Sequence, residues 1–183
     1  MRQAVMLSGG MDSTFLLLRF PDAIAVTINY GQPAAELQAA RRIAEMLGRD
    51  FTAGTLTFPR LEPDGGVDAA FRPGRNLLLL TLGAALVPGD VQLLFGGVQE
   101  DQAGFPDCRP AFLEAAGRTI SLALQKQVEV VGPLVATTKA DIVASALPSE
   151  LQVLRLSVSC YRGEVPGCGT CSACRKREAA GLR

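Results

Sequence analysis

The chain has 183 residues and not one histidine. This excludes a Ser-His-Asp or Cys-His catalytic group within one chain and every histidine ligand to a metal. It also lacks any excess of charge, with 18 basic and 18 acidic residues. That balance leaves no overall electrostatic footprint for nucleic acid, and none is expected as a partner. No apolar run approaches the roughly 18 residues a membrane span needs, so no membrane partner is expected either. The opening MRQAVML lacks the basic segment, long apolar core and small-residue cleavage site of a secretory leader. The cytoplasm is the expected location. Two nucleotide signatures are missing as well. Without GxxxxGK(S/T) there is no P-loop lysine to reach terminal phosphates, and the lack of GxGxxG counts against a dinucleotide fold.

What is present suffices for one compact domain with a sizeable core, since 48% of the residues are hydrophobic. Short apolar segments alternate with helical patterns. Residues 3–7 read as a buried strand ending in Ser8-Gly9-Gly10, and 11–20 as a helix stopped by Pro21. The β-branched run 23–30 reads as a second strand, 33–47 as a helix ended by Gly48, and 50–57 as a third strand. Residues 61–75, with two Pro and three Gly, read as a loop. Asn76 is placed to cap a helix running to about 87. A fourth strand at 91–97 closes in Gly-Gly, a polar loop covers 98–109, and a helix spans about 110–125. A strand follows at 128–134, then a helix that Thr137 or Thr138 can cap, then a short apolar strand after about 150. Strands alternating with helices predict an α/β fold, a single doubly wound domain on a parallel sheet of five or more strands. Residues 1–150 would form that domain, with 151–183 as an appended tail packed on it. Such sheets bind ligands at the carboxyl ends of their strands, where loops 8–13, 96–108 and 29–33 fall.

The seam SGGMDS, residues 8–13, has a chemical reading. A glycine pair after a strand lets the backbone turn sharply and approach a ligand. The next helix begins with free N–H groups and a partial positive charge, an anion site to which Ser8 and Ser13 can add hydroxyls. Asp12 would repel a phosphate unless a cation lies between them, which points to Mg²⁺ bridging a polyphosphate. The plainer reading is a tight turn with Asp12 as a helix-start carboxylate.

Five cysteines occur, and Cys160, Cys168, Cys171 and Cys174 fall within fifteen residues. In a reducing compartment this cluster reads as a metal site. The spacing C-x7-C-x2-C-x2-C can close a tetrahedral Zn²⁺ site with no open position. A C-x2-C-x2-C run also begins a ferredoxin pattern, but the fourth cysteine expected three residues later is replaced by Glu178. Basic residues Arg162, Arg175, Lys176 and Arg177 are read as compensating the thiolates and solvating the tail.

SGGMDS resembles the SGGxDS loop of the ATP-pyrophosphatases, or PP-loop enzymes, which adenylate a carbonyl oxygen and release pyrophosphate. Together with the four-cysteine tail, the chain resembles the 7-cyano-7-deazaguanine synthase family. NYGQ at 29–32 is similar to that family's DYGQ, FRPGRN at 71–76 to its PGRN, GFPDCR at 104–109 to its YPDCR, and SCYRG at 159–163 to its SCY-G. TKADIV at 138–143 is similar to its lysine-containing helix start. Asn29 stands where the family has an acid, Pro33-Ala34 where it has Arg-His, and the 57–75 region is trimmed.

The resemblance implies an adenine-nucleotide alpha-hydrolase-like fold and an ATP-dependent ligase of the queuosine pathway. Its substrates would be 7-carboxy-7-deazaguanine and ammonia, and its cofactors ATP, Mg²⁺ and Zn²⁺. A homodimer is implied as well. Ser8, Gly9, Gly10, Met11, Asp12 and Ser13 would hold the phosphates, and Asn29, Tyr30 and Gly31 the adenosine half. Asp12, Arg75 and Lys139 would be the catalytic residues. Asn76, Asp101 and Asp107 would contact substrate. No general base with a near-neutral pKa is evident. Two other readings stay open: a PP-loop tRNA sulfur-transferase using Cys108, the one cysteine outside the cluster, and a zinc-binding adaptor without turnover.

Overall fold

The computed structural model describes residues 1–57 and 71–182. The loop expected at 61–75 falls mostly outside them. Five strands form one parallel sheet: β1 (Arg2–Met6), β2 (Ile24–Asn29), β3 (Phe51–Thr55), β4 (Val91–Leu94) and β5 (Val128–Val131). Their order is β3-β2-β1-β4-β5. Val5 pairs with Ala25 on one side and with Leu94 on the other. The sheet is thus the expected doubly wound one, with two strands shorter than expected: β4 stops before Phe95-Gly96-Gly97, and β5 before Gly132.

Alternation along the strands splits the core into two layers, as the period of two requires. Val5, Leu7 and Ala25 face helices α1 (Met11–Arg19) and α2 (Ala34–Met46). Ala4, Val26, Ile28 and Leu93 face helices α3 (Arg75–Leu86) and α4 (Pro110–Leu124). Both faces are covered, so the central strands are apolar on both sides, which is why they read as continuous hydrophobic runs.

Three further helices close the molecule: α5 (Lys139–Ser145), α6 (Pro148–Arg155) and α7 (Ser172–Ala179). Thr138 caps α5, its side chain accepting the Asp141 N–H at 3.1 Å while the Asp141 carboxylate accepts the Thr138 N–H at 3.0 Å. Ile142 of α5, Leu154 of α6, Val158 and Leu182 belong to the same apolar layer as Leu7 and Leu17. The tail therefore shares the core of the sheet domain.

Two local expectations are corrected. The apolar stretch after 150 is helix, not strand. Pro148 occupies the first turn, where its missing N–H costs nothing, and Glu150 accepts the Leu147 N–H at 2.7 Å. Asn76 does not cap α3. Gly74, at φ +78°, precedes the helix, and Asn76 lies inside its first turn, 6% exposed.

Candidate active site

Strands β1 and β4 are neighbours, yet the helices that follow them lie on opposite faces of the sheet. A crevice opens at such a switch of winding, at the carboxyl ends of the two strands. Ser8-Gly9-Gly10 leaves β1 on one side of it and Phe95-Gly96-Gly97 leaves β4 on the other. A cavity of about 280 Å³ lies there.

The first loop is braced from within. The Ser13 hydroxyl lies 3.0 Å from the Ser8 hydroxyl, accepts the Ser8 N–H at 3.2 Å, and lies 3.2 Å from the Gly10 carbonyl. The Ser8 hydroxyl accepts the Gly10 N–H at 3.2 Å, and Thr14 donates to the Gly10 carbonyl at 2.8 Å. Gly9 has φ +91°, and a Cβ on it would stand 2.1 Å from the Glu36 carbonyl oxygen. Only glycine permits this turn and lets the first turn of α2 press on the loop. Gly96 allows a close, though less extreme, approach from the other side, with an added Cβ 3.1 Å from the Ser13 nitrogen. The loop is held open toward the cavity by its own serines and by glycine contacts behind it.

Charged side chains converge on the cavity from distant parts of the chain. Lys139, at the start of α5, donates a hydrogen bond and forms an ion pair with Asp12 Oδ2. The other oxygen, Asp12 Oδ1, is buried with no hydrogen-bond partner among the described residues. Burial raises the Asp12 carboxyl pKa despite the opposing pull of Lys139. From α7, Lys176 reaches Asp101 at 3.4 Å. Arg177 donates to the Ser157 hydroxyl at 2.7 Å and the Leu154 carbonyl at 3.0 Å, and also borders the cavity. The Arg75 guanidinium lies 5.4 Å from the centre of the Tyr30 ring, a cation–π distance. Glu36 completes this corner, its carboxyl pushed up by burial to about 7, with Arg75 opposing the rise.

Of the residues singled out in the sequence, Ser8, Gly10, Met11, Asp12, Ser13, Tyr30, Arg75, Asn76, Asp101 and Lys139 border this one cavity. Four do not. Gly9 faces α2. Asn29 is exposed and turns its Oδ1 back to accept the Gly31 N–H at 3.1 Å, so this side chain and Gly31 brace their own loop. Asp107 is 7% exposed, and both its carboxylate oxygens lack a hydrogen-bond partner within the described residues. Burial raises its pKa, while Arg75 and the neighbouring Asn76 oppose the rise. It is not among the residues that border the cavity, but it is close enough to Arg75 to feel that charge.

Glu36, Lys176 and Arg177 are cavity residues that the sequence did not disclose as such. The two basic residues do not solvate the tail as expected: helix α7 turns them inward. Only Arg175 of that run is exposed on α7. Ser159 and Tyr161 border the cavity too, with the Ser159 hydroxyl beside Gly10, and the SCYRG likeness is the signal that marked them. Cys108 is at the cavity but carries no reactive thiolate. Burial, then Asp101 and Asp107, push its thiol up to about 12.

The other four cysteines form a separate centre. Their sulfurs all lie within 4.8 Å of one another. The Cys171 N–H donates to the Cys168 sulfur at 3.3 Å and the Cys174 N–H to the Cys171 sulfur at 3.4 Å. The Thr170 hydroxyl and the Cys171 N–H bring the Cys168 thiol down to about 5, whereas burial pushes the Cys174 thiol up to about 12. Four converging soft donors fit a tetrahedral zinc ion.

The family described as Queuosine biosynthesis protein QueC matches residues 2–182. The chain belongs to the QueC family. It is 38% identical to a 7-cyano-7-deazaguanine synthase of Laribacter hongkongensis over 93% of this chain and 85% of the relative. It is 38% identical to one of Chromobacterium violaceum over 94% of this chain and 86% of that protein. Identity is 34% to one of Cupriavidus taiwanensis over 99% and 94% of the two chains. In this QueC chain the glycine loop, the charged cavity and the cysteine centre lie within one continuous fold. No helix among the described residues is long and apolar enough to cross a membrane.

Proposed function

We propose that the protein converts 7-carboxy-7-deazaguanine and ammonia to 7-cyano-7-deazaguanine, using ATP and releasing AMP and pyrophosphate. The relatives' names supply the product. The observation that carries the reading is one cavity holding the glycine loop, an aspartate with an unpartnered buried oxygen, and the cations Arg75, Lys139, Lys176 and Arg177.

ATP would lay its phosphates on the Ser8–Ser13 loop, where the first N–H groups of α1 have no intrahelical acceptor. Asp12, with its open Oδ1, would hold the Mg²⁺ that accompanies the nucleotide and neutralises charge on the phosphates. The substrate carboxylate oxygen attacks the α-phosphorus, and the bond to pyrophosphate breaks. Lys139 and Arg177 would balance the charge gathering on the leaving group. Ammonia then attacks the acyl carbon, the C–O bond to AMP breaks, and an amide remains. A second ATP adenylates the amide oxygen. One N–H proton and pyrophosphate leave in that step, and loss of the second N–H proton and of AMP gives the nitrile. An acyl-adenylate is already reactive, so orientation and electrostatics can supply much of the acceleration. Tyr30 would flank the adenosine half, and Asn76 and Asp101 would meet the base. Asp107 would act through Arg75 rather than on substrate.

Cys160, Cys168, Cys171 and Cys174 would hold Zn²⁺, which supplies a structural cross-link and no open position for chemistry. Its effect on the cavity is indirect, because α7 leaves this centre and carries Lys176 and Arg177 inward. An enzyme that consumes ATP and keeps these thiols reduced belongs in the cytoplasm.

Incubation with ATP, Mg²⁺, ammonium and the 7-carboxy base should give AMP, pyrophosphate and a nitrile detected by mass. AMP formed only with tRNA and a sulfur donor would select the sulfur-transferase instead, a reading disfavoured by the protonated Cys108.

A further inference from the structure

The reaction proposed above leaves a proton unassigned. At neutral pH ammonia is present almost wholly as ammonium, which has no lone pair to attack with. The chain has no histidine to accept its proton. The cavity's carboxylates differ in their engagement. Asp12 is paired with Lys139, and Asp101 with Lys176. Asp107 is not among the residues that border the cavity. Glu36 borders the cavity and has no ion pair within the described residues.

Its position is fixed by the fold. Glu36 lies in the first turn of α2, its N–H donating to the Pro33 carbonyl at 3.0 Å. Its own carbonyl is pressed against Gly9, so this turn abuts the loop that cradles the phosphates. The charged and titratable groups around its carboxyl are Arg75 from α3 and Tyr30 from the loop after β2, and those two are stacked on each other. Arg75 opposes the rise in the Glu36 pKa, yet no ion pair joins the two among the described residues, so a small cation can approach the carboxylate from the cavity.

We infer that Glu36 is the site where ammonium docks and surrenders its proton, making it the proton acceptor of the amide-forming step. The inference rests on the synthase reading. Ammonium loses one proton to the Glu36 carboxylate. The freed lone pair forms the C–N bond, and the C–O electron pair leaves with AMP. The nitrogen then sheds a second proton to solvent to give the neutral amide, and Glu36 returns its own proton to solvent. The acid's pKa, pushed up by burial to about 7, suits a base working near neutrality.

The test compares wild type with Glu36→Gln in amide and nitrile formation from ammonium, ATP–pyrophosphate exchange dependent on the 7-carboxy base, and trapping by hydroxylamine. Hydroxylamine is already neutral at pH 7 and needs no base. The expected result for Glu36→Gln is an amide rate lower by about 10²-fold or more, with exchange and hydroxamate formation within a few-fold of wild type. The wild-type amide rate should rise with pH through about 7, and the variant should lose that inflection. Equal losses with ammonium and hydroxylamine, or loss of exchange, would overturn the assignment by placing Glu36 in binding or in the frame. If Glu36→Gln does not fold, the wild-type profile decides: levelling off above about pH 7 supports the assignment, and a rate flat through pH 7, or one still climbing about tenfold per pH unit beyond it as free ammonia does, overturns it. Failure of the synthase reading looks different, because wild type itself would then form no amide or nitrile.

Discussion

Lys139 of α5 and Asp12 of α1 are 127 positions apart in the chain and form an ion pair at the cavity, their side chains 12% and 19% exposed. The lysine shields one carboxylate oxygen, and the other remains unpartnered among the described residues. Removing the lysine strands a buried negative charge, whereas removing both charges does not. Lys139→Met should therefore lower stability, and adding Asp12→Asn to it should recover part of the loss. A double-mutant cycle in denaturant should give a coupling of about 0.5–3 kcal/mol. Asp12→Asn alone should lower nitrile formation by about 10²-fold or more while leaving the fold intact. Strict additivity of the two stability changes would contradict the pairing.

The neutral form of Glu36 favours the folded state. Burial lifts its pKa to about 7 from an ordinary 4.5, so its contribution to stability is complete below pH 4.5 and is lost as pH rises through 7. Glu36→Gln stays neutral throughout. Its melting temperature should match wild type in acid and exceed it above pH 7, by the equivalent of roughly 1–3 kcal/mol. A constant offset at every pH would show that this carboxyl is not strained by burial. The pH-dependent gain in Glu36→Gln would instead mark a residue that costs stability and serves function, a common trade at active sites.

Much of this arrangement was legible in the sequence where the signal is local. The seam at Ser8–Ser13 changes from strand to helix spacing within a few residues, and the loop is braced by its own serines, so a hexapeptide suffices to read it. The cysteine centre is likewise local, four donors within fifteen residues. What the sequence hid is non-local or finely balanced. Lys176 and Arg177 read as tail solvation because nothing in the run RKR says which way α7 faces. Glu36 carries no local signal, because its place at the cavity depends on Arg75, Tyr30 and Gly9 converging from three other elements. The stretch after 150 mixes apolar and polar residues at spacings that suit strand or helix, and Pro148 with Glu150 decides for helix. Asn76 looked like a cap because it opens the apolar run, but Gly74 supplies the turn two residues earlier.

Cys108 separates the synthase from a sulfur carrier. Its thiol, pushed up to about 12, stays protonated at pH 8 and should react with iodoacetamide far more slowly than a free cysteine. Cys108→Ala should keep nitrile formation within a few-fold of wild type. Abolished turnover with rapid labelling of the wild-type thiol would contradict both expectations.

The cysteine centre should carry one zinc ion per chain by metal analysis. Cys174→Ser should lose it and melt roughly 5 °C or more below wild type, because the centre anchors α7 and, through it, Leu182 in the core. Nucleotide turnover should fall with the metal, as Lys176 and Arg177 lose their fixed positions. Iron in place of zinc, or an unchanged melting temperature, would contradict a structural zinc.

The account stands on adenylation of a carbonyl oxygen in the cavity behind Ser8–Ser13. The most direct measurement follows heavy oxygen placed in both carboxylate positions of 7-carboxy-7-deazaguanine. One labelled oxygen should pass to AMP as the amide forms and the second to another AMP as the nitrile forms, so all the AMP is labelled. Nitrile made with unlabelled AMP, and heavy oxygen recovered only in water or inorganic phosphate, would contradict it.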